Sequence, residues 1–243
     1  MTTDNGPQTT DQYGVVEVVP FIGIRKSISK RLKMTTDSVA MVTHFDFADL
    51  TAVAALREEL KNQNKKLSYM PFIIKAVTNA LANPKAKMMN AMLDEEKGEI
   101  VYKKYYNIGI AVDTERGLMV PVIPNADKMN LEAMAEYLGG IAERARTRKI
   151  TLDEMRGGTF TVSNVGAVGG VFSTPIMPFP EAAILGLGKI TDEPMVKNGQ
   201  IVIGKRLPLF LSFDHRLIDG ADAARFLNQI IEELNQPSKL MSS

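Results

Sequence analysis

The chain holds two histidines in 243 residues. One of them, His215, stands four residues before Asp219 and five before Gly220 in the stretch LSFDHRLIDGAD. An imidazole titrates near neutral pH, so at this position it could ligate a metal, carry a proton or sit satisfied in a core. His215 and Asp219 at i and i+4 would share one helix face, a spacing that suits a metal. A catalytic zinc, however, takes three protein ligands, and only His44 remains as a second imidazole, so no metal is expected. Ser163 is the other residue with chemistry to offer. Thr161 stands where a hydrolase nucleophile needs glycine two positions earlier, which argues against an acylated serine. Cysteine is absent. The chain therefore has no thiol nucleophile, no thiolate metal site and no disulfide, and any sulfur that reacts must arrive on a substrate.

Other functional classes fall away on the same kind of reading. Gly186 and Gly188 in GLGKIT suggest a dinucleotide fingerprint, but position 191 is threonine and no acidic residue follows at the needed distance. No G-x-x-x-x-G-K-[ST] motif is present. Lys and Arg number 29 against 28 Asp and Glu, so no field favours nucleic acid or an anionic membrane. No apolar run reaches the length of a membrane span, and the first ten residues, MTTDNGPQTT, are polar where a secretory signal would be apolar. A soluble, cytoplasmic protein is expected, with 45% hydrophobic residues to fill its core.

These residues need a scaffold. Residues 1–18 show no period and read as a flexible tail or the remnant of a linker, leaving one folded domain over 19–243. Ile24, Ile28 and Leu32 recur every fourth residue and line a helix face. VAMVTHFDF alternates as a strand, with Met41, Thr43, Phe45 and Phe47 on one side and His44, a structural residue, on the other. Helices follow in LTAVAALREELK and SYMPFIIKAVTNALANP, the second with Ser68 as cap and Pro84 as stop. Three strands are expected over 99–123. A helix over 130–148 buries Leu131, Met134 and Ile141 and ends in Arg144, Arg146, Arg148 and Lys149, which complement its dipole. Thr151 and Glu154 stand at capping-box spacing. Strands at 183–187, 201–203 and 207–213 precede a last helix over 221–235. Elements so mixed, without a regular βαβ beat, predict an α/β fold: a mixed β-sheet sandwich with helices.

Five segments in order, covering about residue 20 to the end, then resemble one family. LPLFLSFDHRLIDGADAARFL is similar to the active-site segment of dihydrolipoamide acyltransferases, the core enzymes of 2-oxo acid dehydrogenase complexes, whose H-x-x-x-D-G falls on His215, Asp219 and Gly220. GGTFTVSNVG (157–166), STPIMPFPEAAILG (173–186), NIGIAVDTERGLMVPVI (107–123) and IRKSISKRL (24–32) resemble the family's other segments. The resemblance implies a chloramphenicol acetyltransferase-like fold and acyl transfer between the thiol of a dihydrolipoyl arm and that of coenzyme A. Both thiols then belong to substrates, which makes the absence of cysteine intelligible. It implies His215 as general base, since a neutral imidazole near ~6.5 can take a proton from a thiol near ~8.5 as attack proceeds. Ser163, in the family's serine position, is implied as the hydroxyl that stabilises the oxyanion. Asp219 is implied to hold the local loop through an arginine, with Arg25 as its partner, and Gly220 to permit a close turn.

The family further implies a homotrimer that assembles into a hollow cage, with His215 of one chain facing Ser163 of the next. The lipoyl group would ride on a separate domain or chain. The 2-oxo acid dehydrogenase and dihydrolipoamide dehydrogenase components would be engaged through regions absent here, making the chain a catalytic core. Ser163 resembles acetyl- and branched-acyl-transferring members more than succinyl-transferring ones, while DEPMVKNGQIVI has a succinyl-type flavour; acetyl is favoured. Two segments depart from the family. The stretch around Asn90 carries roughly two extra residues, and Met177 to Phe179 replace an Asn-Pro-containing turn. The alternatives are an O-acetyltransferase of the chloramphenicol type and a non-catalytic cage scaffold; the retained His215 and Ser163 argue against the scaffold.

Overall fold

The computed structural model describes residues 8–115 and 117–241. In chain order they form β1 (Gln8–Thr10), β2 (Val15–Glu17), α1 (Gly23–Ser38), β3 (Met41–Asp49), α2 (Thr51–Asn62), α3 (Tyr69–Ala82), β4 (Ala91–Asp94) and β5 (Glu99–Tyr102). There follow β6 (Ile108–Ala111), β7 (Val122–Ile123), α4 (Leu131–Arg146), β8 (Phe160–Asn164), β9 (Ala183–Leu187), β10 (Thr191–Lys197), β11 (Gln200–Asp214) and α5 (Gly220–Asn235).

β11 is the spine of a seven-stranded sheet. Its first half pairs with β10, while its second half lies between β3 and β9, all antiparallel. Beyond β9 the sheet continues through β8 and β6, which pair in parallel, and closes on a short antiparallel β7. The expected mixed sheet is therefore present, as a single sheet layered with helices. β1–β2 and β4–β5 are separate two-stranded ribbons.

Alternation along each strand sorts the two faces. Leu209, Leu211 and Phe213 of β11, Leu185 of β9 and Phe160 and Val162 of β8 are buried beneath α2, α3 and α5, where Phe72, Phe226 and Ile230 complete the core. Met41, Thr43, Phe45 and Phe47 share the opposite face, as their spacing predicts, while His44 sits opposite Leu211 on the helix side. That second face is only partly covered. Phe172 meets Phe45 and Phe47 edge-on at 5.9 and 5.7 Å, and all three rings remain well exposed. α1 touches the body lightly: Thr35 is its one buried residue among those described, its hydroxyl donating to the Met177 carbonyl.

Three differences from the sequence reading have physical causes. Residues 8–17, expected as a tail without regular structure, form the β1–β2 hairpin because Asp11 turns the chain, its carboxylate accepting from the Tyr13 and Gly14 amides. The two strands expected at 201–203 and 207–213 are one, with β10 as an added partner. Pro208 does not break it: its carbonyl accepts from Gly188 where β9 has already ended, so its missing N–H forfeits no ladder bond. The capping box at Thr151 and Glu154 forms reciprocally, and the short helix expected after it is a single 3₁₀ turn.

Gly186 locks β9 against β11. A Cβ there would lie 1.8 Å from Cε2 of the buried Phe210 ring on the facing strand. Gly186→Ala is expected to cost about 3 kcal/mol, at the upper end for core overpacking, and to lower Tm by roughly 6–12 °C. Phe210→Leu in the same chain should recover part of that loss. Thermal unfolding of the three variants checks it, and an unchanged Tm for Gly186→Ala would contradict the packing.

Candidate active site

β11 ends at Asp214 and turns at once into His215. The turn is fixed by backbone bonds: Asp214 N–H donates to Ala182, His215 N–H donates to Ala40, and the Asp214 carbonyl accepts from both Leu217 and Ile218. The imidazole itself is exposed and makes no hydrogen bond within the described residues; its nearest ring neighbour is Phe213, 5.7 Å away between centroids. An imidazole so placed is presented to solvent on a hydrogen-bonded turn.

The residues that clamp this turn were missed in the sequence reading, although two of them flank His215 directly. Arg216 sends Nε to Asp214 Oδ1 at 2.9 Å and Nη2 to Asp214 Oδ2 at 2.6 Å, while its Nη1 holds Glu95 from the turn between β4 and β5. Asp214 is nearly inaccessible, and its bonds to Arg216 raise the guanidinium above its usual pKa. Among the described residues the expected Asp219–Arg25 pair is not formed, and the ion pair at this turn is Asp214–Arg216. Asp219 occupies the N-cap position of α5 with no side-chain cap bond, and Arg25 lies exposed on α1 without an ion pair among the described residues. Gly220 is also not demanded by the turn: its backbone is ordinary, and a Cβ there would meet nothing within 4 Å.

Ser163 lies near the end of β8, on the sheet face away from the helices, since Phe160 and Val162 take the other side. Its hydroxyl has no partner among the described residues. The loop beyond it is held close by glycine: a Cβ on Gly166 would lie 2.2 Å from the Gly188 carbonyl oxygen. Ser163 and His215 do not meet within the chain. Ser163 pairs with Gly186, Gly186 pairs with Phe210, and His215 is five residues beyond Phe210. At strand geometry that places them about 17 Å apart along the strands and two strands, about 10 Å, across.

On the same face, Thr161 donates to Glu181 Oε2 at 2.7 Å. Glu181 forms part of the wall of a cavity of about 930 Å³ between α1 and the body, lined also by Ile28, Leu118, Ile150 and Phe179. Burial is the main reason its carboxyl is pushed up to about 8; the Thr161 hydroxyl and Lys103 act in the opposite sense.

Comparison with known proteins bears on these residues. Residues 14–242 match the family described as 2-oxoacid dehydrogenases acyltransferase (catalytic domain). The chain is 41% identical over 223 residues to the dihydrolipoyllysine-residue acetyltransferase component of the pyruvate dehydrogenase complex of Bacillus subtilis, covering 90% of this chain and 50% of that protein. It thus spans about half the length of the curated relatives it matches. The solved structure of dihydrolipoamide acetyltransferase from Azotobacter vinelandii, in work on a serine, a histidine and an asparagine in its catalytic mechanism, superposes with a TM-score of 0.89 at 36% identity, covering 95% of this chain and 96% of that one. A structure described as the cubic core of the pyruvate dehydrogenase multienzyme complex superposes equally well, with the same TM-score of 0.89, identity of 36% and coverage of 95% and 96%. Chloramphenicol acetyltransferase, at 13% identity and a TM-score of 0.54 over 84% of this chain and 94% of that one, shares the fold.

The raised carboxyl of Glu181 makes stability depend on pH in a definite direction. Unfolded, it titrates near its ordinary 4.5; folded, near 8, so between those values the folded chain carries the extra proton. The contribution is full below the lower value and is lost as pH rises through the upper one. Tm measured from pH 5 to 9 should therefore fall more steeply in the native chain than in Glu181→Gln, and parallel curves would contradict this.

Proposed function

Because the chain belongs to the 2-oxoacid dehydrogenase acyltransferase family through its catalytic domain, we propose that it transfers an acyl group, acetyl by preference, between dihydrolipoamide and coenzyme A. The observation that carries this reading is His215: an exposed imidazole with no partner among the described residues, on a turn whose Asp214, His215, Leu217 and Ile218 amides are all hydrogen-bonded. It acts as general base. His215 takes the proton of the attacking thiol while the sulfur adds to the thioester carbonyl. The tetrahedral intermediate then expels the second sulfur, which takes the proton back from the imidazolium. No covalent bond to the protein forms, so no cysteine or activated serine is required.

Ser163 supplies the hydroxyl that meets the oxyanion. Its position about 20 Å from His215 in the same chain supports a site whose base and donor come from two chains. The exposed rings of Phe45, Phe47 and Phe172 offer the apolar surface such a neighbour would cover. The assembly is a homotrimer, built into a larger cage like the cubic core it resembles. In the Azotobacter protein the third residue studied is an asparagine four places after the histidine; here Asp219 stands at that spacing, its carboxylate without a partner among the described residues. The lipoyl arm reaches the site from a separate domain or chain of a cytoplasmic pyruvate dehydrogenase-type complex, whose dehydrogenase and dihydrolipoamide dehydrogenase components complete the cycle.

His215→Ala is expected to lower transfer from acetyl-CoA to dihydrolipoamide by at least ~100-fold in an assembled protein. Ser163→Ala should lower kcat more than it raises KM. When the two variants are co-expressed, each mixed trimer has one interface at which an intact histidine meets an intact serine. Random assembly then returns roughly a quarter of wild-type activity by cyclic-symmetry counting. Mixed trimers verified by mass spectrometry yet no more active than the two variants averaged would sink the shared site.

A further inference from the structure

A general base must keep its ring aimed as well as hold the right protonation state, and the usual device is a carboxylate bonded to the second ring nitrogen. His215 has none: Asp219 does not reach it, and both oxygens of Asp214 are engaged by Arg216. Aim must therefore come from the backbone of the turn. We propose that Glu95, delivered by the turn between β4 and β5, is a positioning residue for His215: its carboxylate holds Arg216, and Arg216 holds Asp214, fixing the turn that carries the imidazole.

The geometry supports each link. Arg216 lies next to His215 and spans two parts of the fold, with Nε and Nη2 on Asp214 at the end of β11 and Nη1 on Glu95. Its own amide also donates to Asp214 Oδ1 at 3.1 Å. The ribbon that presents Glu95 is pinned at its base. The buried Asn90 donates from Nδ2 to the carbonyls of Lys103 and Tyr105, and the Lys103 amide returns a bond to Asn90. At the tip, Lys97 braces Asp94 at 3.0 Å. Glu95 itself is largely exposed. Exposed ion pairs contribute little to stability, so its removal should register in the turn and in catalysis more than in folding.

This inference rests on the acyl-transfer reading, and its test separates the two. Glu95→Gln and Glu95→Asp are made in the whole chain and assayed as assembled protein with acetyl-CoA and dihydrolipoamide. Misplacement of a reacting group by about 1 Å can cost ~100-fold; for a loosened turn, Glu95→Gln should lose about 5- to 20-fold in kcat. KM for both substrates should stay within about twofold, with Tm and assembly unchanged, and Glu95→Asp should recover at least half of the loss. Hydrogen–deuterium exchange over residues 214–219 should quicken in Glu95→Gln, since the Leu217 and Ile218 amides bond to the Asp214 carbonyl. Unchanged kcat with unchanged exchange overturns the proposal, as does a loss that appears in KM or Tm instead. Exchange does not depend on the reaction: quicker exchange in a chain whose wild type transfers no acyl group would uphold the clamp and overturn the acyl-transfer reading.

Discussion

The continuous hydrogen bonding of β11 is the constraint on which the other elements depend. Fifteen residues run unbroken from Gln200 to Asp214. Over the second half both edges are occupied, by β3 and by β9, so neither edge is free to slip. A shift of one residue would turn Leu209, Leu211 and Phe213 out of the core and put Phe210 and Ser212 in their place. Gly186 makes such a shift costlier, because only a residue without Cβ can face the Phe210 ring. Register held this firmly fixes where the strand ends, and its end is where His215 begins.

The same register fixes the distance between the two residues of the proposed site. Ser163 is tied through Gly186 to the middle of β11, and His215 is tied to its end, so no side-chain rotation brings them together. The sheet face that carries Ser163 has no helical layer to match the one on the other side. Its aromatic residues stand edge-on to one another at the surface, in pairs that fill no core. Both features suit the proposed assembly, in which the same contact repeats head-to-tail around a ring and each chain would contribute one residue to each of two sites.

In the sequence His215 stands out through its H-x-x-x-D-G spacing and Ser163 through the resemblance of GGTFTVSNVG to a family segment, and the alternation Met41, Thr43, Phe45, Phe47 reads directly as a strand face. The arginine–aspartate anchor was expected in Asp219 and Arg25, yet the chain uses Asp214, Arg216 and Glu95. The cause is physical. Asp214 and Arg216 lie on either side of the histidine, where they read as ordinary flanking charges. Glu95 is 121 positions from Arg216, and only the folded β4–β5 ribbon brings it near. The reading of β11 as two strands left residues 204–206 between them; in place, Gly204 is buried against Met195 and Thr51 and the ladder with β10 runs through this stretch.

An imidazole held by its backbone differs chemically from one held by its ring. A carboxylate on the second nitrogen fixes the ring's direction and at the same time favours its charged form, so orientation and basicity change together. In this chain orientation comes from the turn, through Ala40, Ala182, Asp214 and Arg216, and none of these bonds ends on the ring. Among the described residues neither ring nitrogen has a partner, so on the proposed function both are open to substrate. Transfer between two thiols of similar acidity calls for such a base, because the proton taken from one sulfur must be returned to the other. A ring strongly committed to its charged form would be slow at the second step. Placing the ion pair one residue to either side of the histidine, instead of on it, braces the turn while leaving the ring without an ionic partner among the described residues, as the proposed two-way proton transfer requires.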